Sequence, residues 1–374
     1  MKIIFYDINL LNQKKYIGDI VNYYIDNTDV DVIILYDEFD KTGFEFFKDK
    51  QCQLIHNNAF TYSGIKKLLK KNNPELFMVN AQRLSDSAFV TVAKTIGIET
   101  GMIQHGMYIP FMQRERFYLI KKVFKTLKFF MYSQVIAKAI DLNGIEVFKK
   151  YLKTFVKGEV YKKAIDFTDK VNTDFVLVYG EYWKEYHRDI FGYQLEQQDV
   201  IGYHELNKLT LILSKPFEED SVCYIAQTLV EDGRLNRNEM INFLTSLSEV
   251  AKKTKVYIKL HPRSDKELYT DSKFILLETD IPNAGCFLGH YSSLLALVGG
   301  LKRKLILFEF DEHEIPNYFK NISYTTSNRS DFLKLIYDRT LTIKADTKDI
   351  DFYFERGYST ENVVDKITSN IGKR

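Results

Sequence analysis

Val222-Cys223-Tyr224-Ile225-Ala226-Gln227 runs directly into Thr228-Leu229-Val230-Glu231-Asp232-Gly233; a helical pattern near 236–252 follows, then Val256-Tyr257-Ile258-Lys259-Leu260. Each apolar run is too short for a helix and too uniformly apolar for a strand with one wet face. Such runs predict strands buried on both faces, as in a parallel sheet. Strand, helix and strand in that order make the crossover unit from which parallel sheets are built.

The same alternation extends in both directions. Downstream, strands are expected at 274–277, 286–288 and 304–308, with helices near 291–300 and 329–338. Upstream, the strand candidates are 2–6, 30–36, 54–56, 76–79 and 100–104, separated by helical patterns near 13–26, 63–72 and 85–96. From about 114 to 165 the pattern is wholly helical, and 175–179 returns as a strand. A polar stretch at 196–210, ending near Lys215-Pro216, is the candidate linker. The expectation is an α/β protein of two Rossmann-like domains, 1–214 and 215–374, facing a central cleft, with 345–374 crossing back to the first. That is the GT-B architecture of many glycosyltransferases, although a fold by itself does not fix a function.

Composition narrows the class. The 374 residues suit two domains of ordinary size. A formal charge of +2 excludes a generally basic nucleic-acid binder. Cys52, Cys223 and Cys286 form no CxxC pair, so neither a disulfide framework nor a zinc site is expected. The run Ile3-Ile4-Phe5-Tyr6 meets Asp7 at once and reads as a first strand, not a signal peptide. No run approaches the roughly 18 apolar residues that span a bilayer. A cytoplasmic protein, peripheral at most on the inner membrane face, is expected.

Three segments at strand ends carry the chemistry, because open α/β sheets bind ligands at the carboxyl ends of their strands. In Glu231-Asp232-Gly233 the glycine permits a sharp turn. Repulsion between the adjacent carboxylates would raise the proton affinity of one and suit it to act as a base. The plainer alternative is a solvated turn. In His261-Pro262-Arg263, Pro262 fixes its own backbone and biases His261 toward an extended conformation. That imidazole would bind or protonate a leaving phosphate, with Arg263 adding a charged contact. Ser292 and Ser293 open a helical pattern, where serines cap and where free amides with hydroxyls also receive phosphate.

His261 follows Asp232 by 29 residues and Ser292 follows His261 by 31. This order and spacing resembles the bacterial sialyltransferases, foremost the lipooligosaccharide type of glycosyltransferase family 52, with polysialyltransferases as relatives. The likeness is confined to roughly 222–310. It implies Asp232 as the base on an acceptor hydroxyl beside Glu231 and Gly233. It further implies His261 protonating or binding the donor phosphate, and Ser292 and Ser293 holding that phosphate. It also implies a CMP-activated acidic sugar as donor, inversion, a glycan or glycolipid acceptor, and no metal. The only Asp-x-Asp pairs, Asp29/Asp31 and Asp349/Asp351, stand away from the expected cleft, which agrees with a metal-free site.

Other residues keep alternatives open. His105, in Gln104-His105-Gly106, ends the fifth predicted strand. A His-Gly there, with His-Pro and Tyr-Ser-Ser later, also resembles the CDP-glycerol glycerophosphotransferases, which would make His105 the base. Glu309 ends the 304–308 strand, placed for a ribose hydroxyl or as a surface carboxylate. Trp183 either shapes an acceptor pocket or packs in a core. The segment 114–139 holds seven Lys or Arg, one acid and six aromatics, a pattern for a membrane-surface helix or a domain helix with a basic edge. A UDP-sugar transferase and a non-catalytic glycan- or nucleotide-binding subunit are the remaining readings.

Overall fold

The computed structural model describes residues 1–107, 119–311, 313–344 and 347–372. Two compact units divide the chain: one takes Met1–His105, Tyr118–Gly202 and Gly357–Arg374, the other Tyr203–Arg356. The boundary between the units therefore falls after Gly202, earlier than the 214/215 read from sequence, and the chain returns to the first unit from Gly357, later than the 345 expected.

The first unit is built on seven strands: β1 (Lys2–Asn9), β2 (Asp31–Glu38), β3 (Cys52–His56), β4 (Leu76–Val79), β5 (Glu99–Ile103), β6 (Phe175–Val178) and β7 (Gln198–Val200). Their order across the sheet is β3-β2-β1-β4-β5-β6-β7, and every pairing is parallel. Ile3, Ile4, Phe5 and Tyr6 are all fully buried, as a strand covered by helices on both faces requires. The crossover helices are α1 (Leu10–Asn27), α2 (Lys41–Lys48), α3 (Tyr62–Asn72) and α4 (Leu84–Thr95). Asn9, Asp40 and Thr61 cap the first three by accepting backbone N–H groups, each cap worth about 1 kcal/mol.

The stretch expected as a linker, 196–210, is not one. It contributes β7, paired to β6, and Asp199 of β7 accepts a hydrogen bond from Asn370 at 2.9 Å. The C-terminal helix Thr360–Asn370 packs Val363, Val364 and Ile367 into the same core as Ile17, Ile20 and Tyr24 of α1.

α5 (Leu119–Ile140) and α6 (Gly144–Lys157) fill the helical stretch between β5 and β6. Of the proposed surface helix at 114–139, residues 114–118 lie outside the described residues. Tyr132, Val135, Ile136 and Ala137 give α5 its buried face, while Leu127, Lys128 and Phe130 are exposed. Among the described residues no helix is long and apolar enough to cross a membrane.

The second unit holds β8 (Glu218–Ile225), β9 (Lys255–Lys259), β10 (Phe274–Leu277), β11 (Ala284–Gly289), β12 (Lys304–Phe308) and β13 (Tyr324–Thr326). Their order is β10-β9-β8-β11-β12-β13, again wholly parallel. The helix Arg237–Ala251, capped by Asn236, buries Met240, Phe243, Leu247 and Val250. Phe243 sits among Tyr224, His290, Phe308, Phe310 and Phe332, with ring centroids 5.2–5.7 Å away.

Candidate functional site

In an open parallel sheet the crevice forms where successive crossovers leave in opposite directions. In the second unit that point lies between β8 and β11, which are neighbours in the sheet although β9 and β10 intervene in sequence. Gln227, just past β8, accepts the Tyr291 N–H from just past β11 at 3.0 Å and ties the two ends together.

The chain after β8 folds into a tight turn. The Asp232 N–H reaches the Thr228 carbonyl at 3.0 Å and the Arg234 N–H reaches that of Leu229 at 2.8 Å. Gly233 sits at φ +64°, a left-handed position that favours glycine, and open space surrounds the place of a Cβ. Buried Leu229 and Leu235 pin the turn from below.

Two links stitch this turn to the loop after β9. Glu231 Oε1 accepts the Asp265 N–H at 2.6 Å. Arg263 Nη1 donates to Asp232 Oδ1 at 2.9 Å, and Arg263 Nη2 donates to Thr228 Oγ1 at 3.2 Å. The Thr228 hydroxyl in turn donates to Asp232 Oδ2 at 2.9 Å, and Arg234 Nη2 stands 3.7 Å from that oxygen. The acidic and His-Pro-Arg segments are thus brought together within one unit.

This geometry corrects one sequence expectation. Adjacent carboxylates do not raise the proton affinity of Asp232. Burial pushes it up, but hydrogen bonds from Arg263 and Thr228 and the charges of Arg263 and Arg234 outweigh burial and hold it below the ordinary carboxylate range. Glu231 faces the Asp265 amide instead of repelling its neighbour.

His261 lies exposed on the loop after β9. Its N–H donates to Ser264 Oγ at 3.1 Å, and its Nδ1 accepts the Arg263 N–H at 3.1 Å. With Nδ1 an acceptor, the neutral ring carries its proton on Nε2. Pro262, exposed beside it, holds the turn.

Past β11, Ser292 Oγ accepts the Leu294 N–H at 3.3 Å. Ser293 stands at the N-cap of the short helix Leu294–Gly300 in a helical conformation, without a side-chain cap bond. The helix starts later than the 291–300 read from sequence. His290 is structural: Nδ1 donates to the Phe308 carbonyl at 2.8 Å, Nε2 accepts from Tyr224 at 2.9 Å, and burial drives its pKa down to about 4. Glu309 Oε2 accepts the Ile315 N–H at 2.9 Å and lies 3.3 Å from Lys320.

His105 belongs to the first unit, two residues beyond the end of β5. The switch point of that sheet falls between β1 and β4. Fully buried Asp7 sits there, bonded by Arg83 Nη1 at 3.0 Å and Asn80 Nδ2 at 3.3 Å. Arg83 also grips Asp86, at 2.7 and 3.1 Å. His105 Nδ1 is 3.8 Å from Asp7 Oδ2, and the Tyr16 ring covers the imidazole with centroids 3.8 Å apart. Burial pushes Asp86 up to about 6 against the pull of Arg83. Trp183 is fully buried, and its carbonyl accepts from His187 Nδ1 at 2.7 Å, so it packs a core instead of lining a pocket.

Sequence reasoning missed Thr228, Arg234, Asp7 and Arg83. Thr228 lies three residues before Glu231 and Arg234 two after Asp232, and Asp7 is the acid that interrupts the first apolar run, so proximity in sequence was the available signal. Among the described residues no three His, Cys, Asp or Glu side chains stand together as a metal-ligand set.

Solved structures resemble the protein over its whole length. The UDP-GlcNAc 2-epimerase from Methanocaldococcus jannaschii aligns with a TM-score of 0.57 at 14% identity, covering 99% of this chain and 100% of that one. The Neisseria meningitidis UDP-GlcNAc 2-epimerase bound to UDP-GlcNAc gives 0.56 at 13%, covering 100% of both chains. The wall teichoic acid polymerase TagF, as its H444N variant with CDPG, gives 0.52 at 14%, covering 99% of this chain and 88% of that one. At such identities the likeness shows the fold, and the fold is GT-B.

No curated protein matches the chain. Residues 20–283 match the family Alpha-2,8-polysialyltransferase (POLYST), and the chain belongs to that family of glycosyltransferases. The sialyltransferase resemblance therefore holds, on its polysialyltransferase side. It also reaches far into the first half, beyond the 222–310 read from motifs, and it stops short of Ser292.

Proposed function

We propose that the protein is an inverting transferase that moves a CMP-activated acidic sugar, sialic acid or a related nonulosonate, onto a bacterial surface glycan. The observation that carries this reading is the single ion-pair and hydrogen-bond network joining Asp232, Arg263 and the His261 loop at the switch point of the second sheet. In the reaction a base takes the acceptor hydroxyl proton and the acceptor oxygen bonds to the anomeric carbon. The bond from that carbon to the phosphate oxygen breaks on the opposite face, and CMP leaves with the electron pair.

His261 Nε2–H donates to the departing phosphate, with Arg263 and the Ser292 and Ser293 hydroxyls as further donors. The base is Asp232 or His105. Asp232 is ionised, as a base must be, while His105 carries a buried carboxylate behind it. Such a departure puts one phosphate charge on the protein's donors and calls for no metal. Attachment to an anionic membrane face through α5 is supported by exposed Leu127, Phe130 and Lys128 and would bring the site to a lipid-linked acceptor.

A thermal-shift panel of CMP, CDP, UDP, GDP and ADP without metal tests the donor class. At 100 times its dissociation constant a ligand stabilises by about 2.7 kcal/mol. The expected result is selective stabilisation by CMP, lost in His261→Ala. A preference for CDP supports a polyol-phosphate donor with His105 as base. UDP selectivity discards the CMP reading, and no shift with any nucleotide favours a non-catalytic binding subunit.

A further inference from the structure

Two guanidiniums, Arg263 and Arg234, converge on the one carboxylate of Asp232. The two other carboxylates of these loops bond elsewhere. Glu231 Oε1 is occupied by the Asp265 amide, and the Asp265 carboxylate takes Arg237 at 2.7 Å. Tyr291 lies beside the two guanidiniums, its hydroxyl bonding Arg234. The Arg263 side chain is 62% exposed while the Asp232 side chain is 20% exposed, so the pair is reached from the arginine side. An ion pair open to water on one side is worth little and exchanges readily.

We propose that Asp232 is an internal placeholder for the donor's negative charge. Arg263, with Arg234 beside it, releases Asp232 when the anionic group of the donor arrives, and the freed carboxylate then gains the proton affinity a base needs. The inference rests on the proposed nucleotide-sugar donor and adds to it a way in which donor binding switches on the base. It assigns Arg234 to anion recognition, which the motif reading left out. The exchange moves only hydrogen bonds: the guanidinium fork swaps a carboxylate for a phosphate or sugar carboxylate of matching geometry. Thr228, which both donates to Asp232 and accepts from Arg263, keeps the carboxylate in place while its partner leaves.

The test is CMP affinity, measured by calorimetry without metal on the full chain. Asp232→Asn keeps the shape but removes the competing charge, and it is expected to bind CMP about three- to tenfold more tightly than the wild type. Arg263→Gln should bind about tenfold or more weakly, and Arg234→Gln more weakly as well. The double variant Asp232→Asn/Arg263→Gln should bind no better than Arg263→Gln, because the gain acts through that arginine. Equal or weaker CMP binding by Asp232→Asn, with an unchanged melting temperature, overturns the placeholder while leaving the donor reading intact. Failure of the wild type to bind CMP removes both.

Discussion

Each sheet gathers charge at its switch point, but the two sites treat that charge differently. Between β1 and β4, Asp7 and Asp86 are out of contact with water and share Arg83 in a fixed chain of short bonds. Beside β8 and β11, Asp232 meets an arginine that is mostly in solvent. The first arrangement has paid its desolvation cost in folding and resists change. The second has paid little and is free to exchange its partner. A ligand can replace a side-chain partner at lower cost in the second arrangement than in the first.

The largest contrast should appear in turnover. With a CMP-sugar donor, His261→Ala or Asp232→Asn is expected to lower kcat by about 10²–10⁴-fold, the usual worth of a positioned acid or base. Each should leave the melting temperature nearly unchanged, and comparing initial rates with thermal melts checks both. A large loss of stability in either variant would erase the distinction between the two sites.

Breaking the buried pair should cost stability instead. Asp7→Ala leaves Arg83 paired to Asp86 alone and is expected to destabilise the first unit by about 1.5–3 kcal/mol, read by denaturant unfolding followed at Trp183, the single tryptophan. The matching surface variant, Arg263→Ala, supplies the smallest effect.

Acid should separate the units next. His187 in the first unit and His290 in the second are buried and neutral, each with a pKa of about 4 against an ordinary 6.5. Between these values the unfolded chain binds the proton and the folded chain does not, so stability falls as pH drops from 6.5 to 4. The loss is up to about 3 kcal/mol for each histidine. In the first unit Asp86, raised to about 6, works in the opposite sense, because the folded chain binds its proton first and gains stability as pH falls through the same window. Asp37, raised by its burial, acts likewise. Asp232, held low, gives the second unit no such offset there. Far-UV circular dichroism should therefore begin to fall at a higher pH than Trp183 fluorescence changes. Coincident transitions would contradict the offset.

The smallest effect is the most diagnostic of exposure. Arg263→Ala should change stability by no more than about 1 kcal/mol in chemical denaturation. A cost of several kcal/mol would place it with the buried network instead.

Legibility in the sequence follows burial. Strands covered on both faces, such as Ile3 to Tyr6 and Val222 to Ile225, announce themselves as apolar runs because every side chain meets protein. The edge strands β7 and β13 are three residues long and polar, so they carry no such signal, and β7 read as linker. The acidic, His-Pro-Arg and Ser-Ser segments were legible as strand-end motifs. Their electrostatics were not: Glu231 beside Asp232 is visible in sequence, whereas Arg263 meets Asp232 only once two loops fold together. The pairing of Asp7 with Arg83 was invisible for the same reason, since 76 residues separate them.

The most direct test of the account is transfer itself. Purified protein is given CMP-sialic acid and a short α-2,8-linked sialic acid oligomer, without metal, and the products are followed by mass spectrometry and anomeric NMR. The account predicts elongation with inversion by the wild type and none by Asp232→Asn or His261→Ala. Elongation at the wild-type rate by His261→Ala, or consumption of a UDP-sugar or CDP-glycerol with CMP-sialic acid untouched, would contradict it.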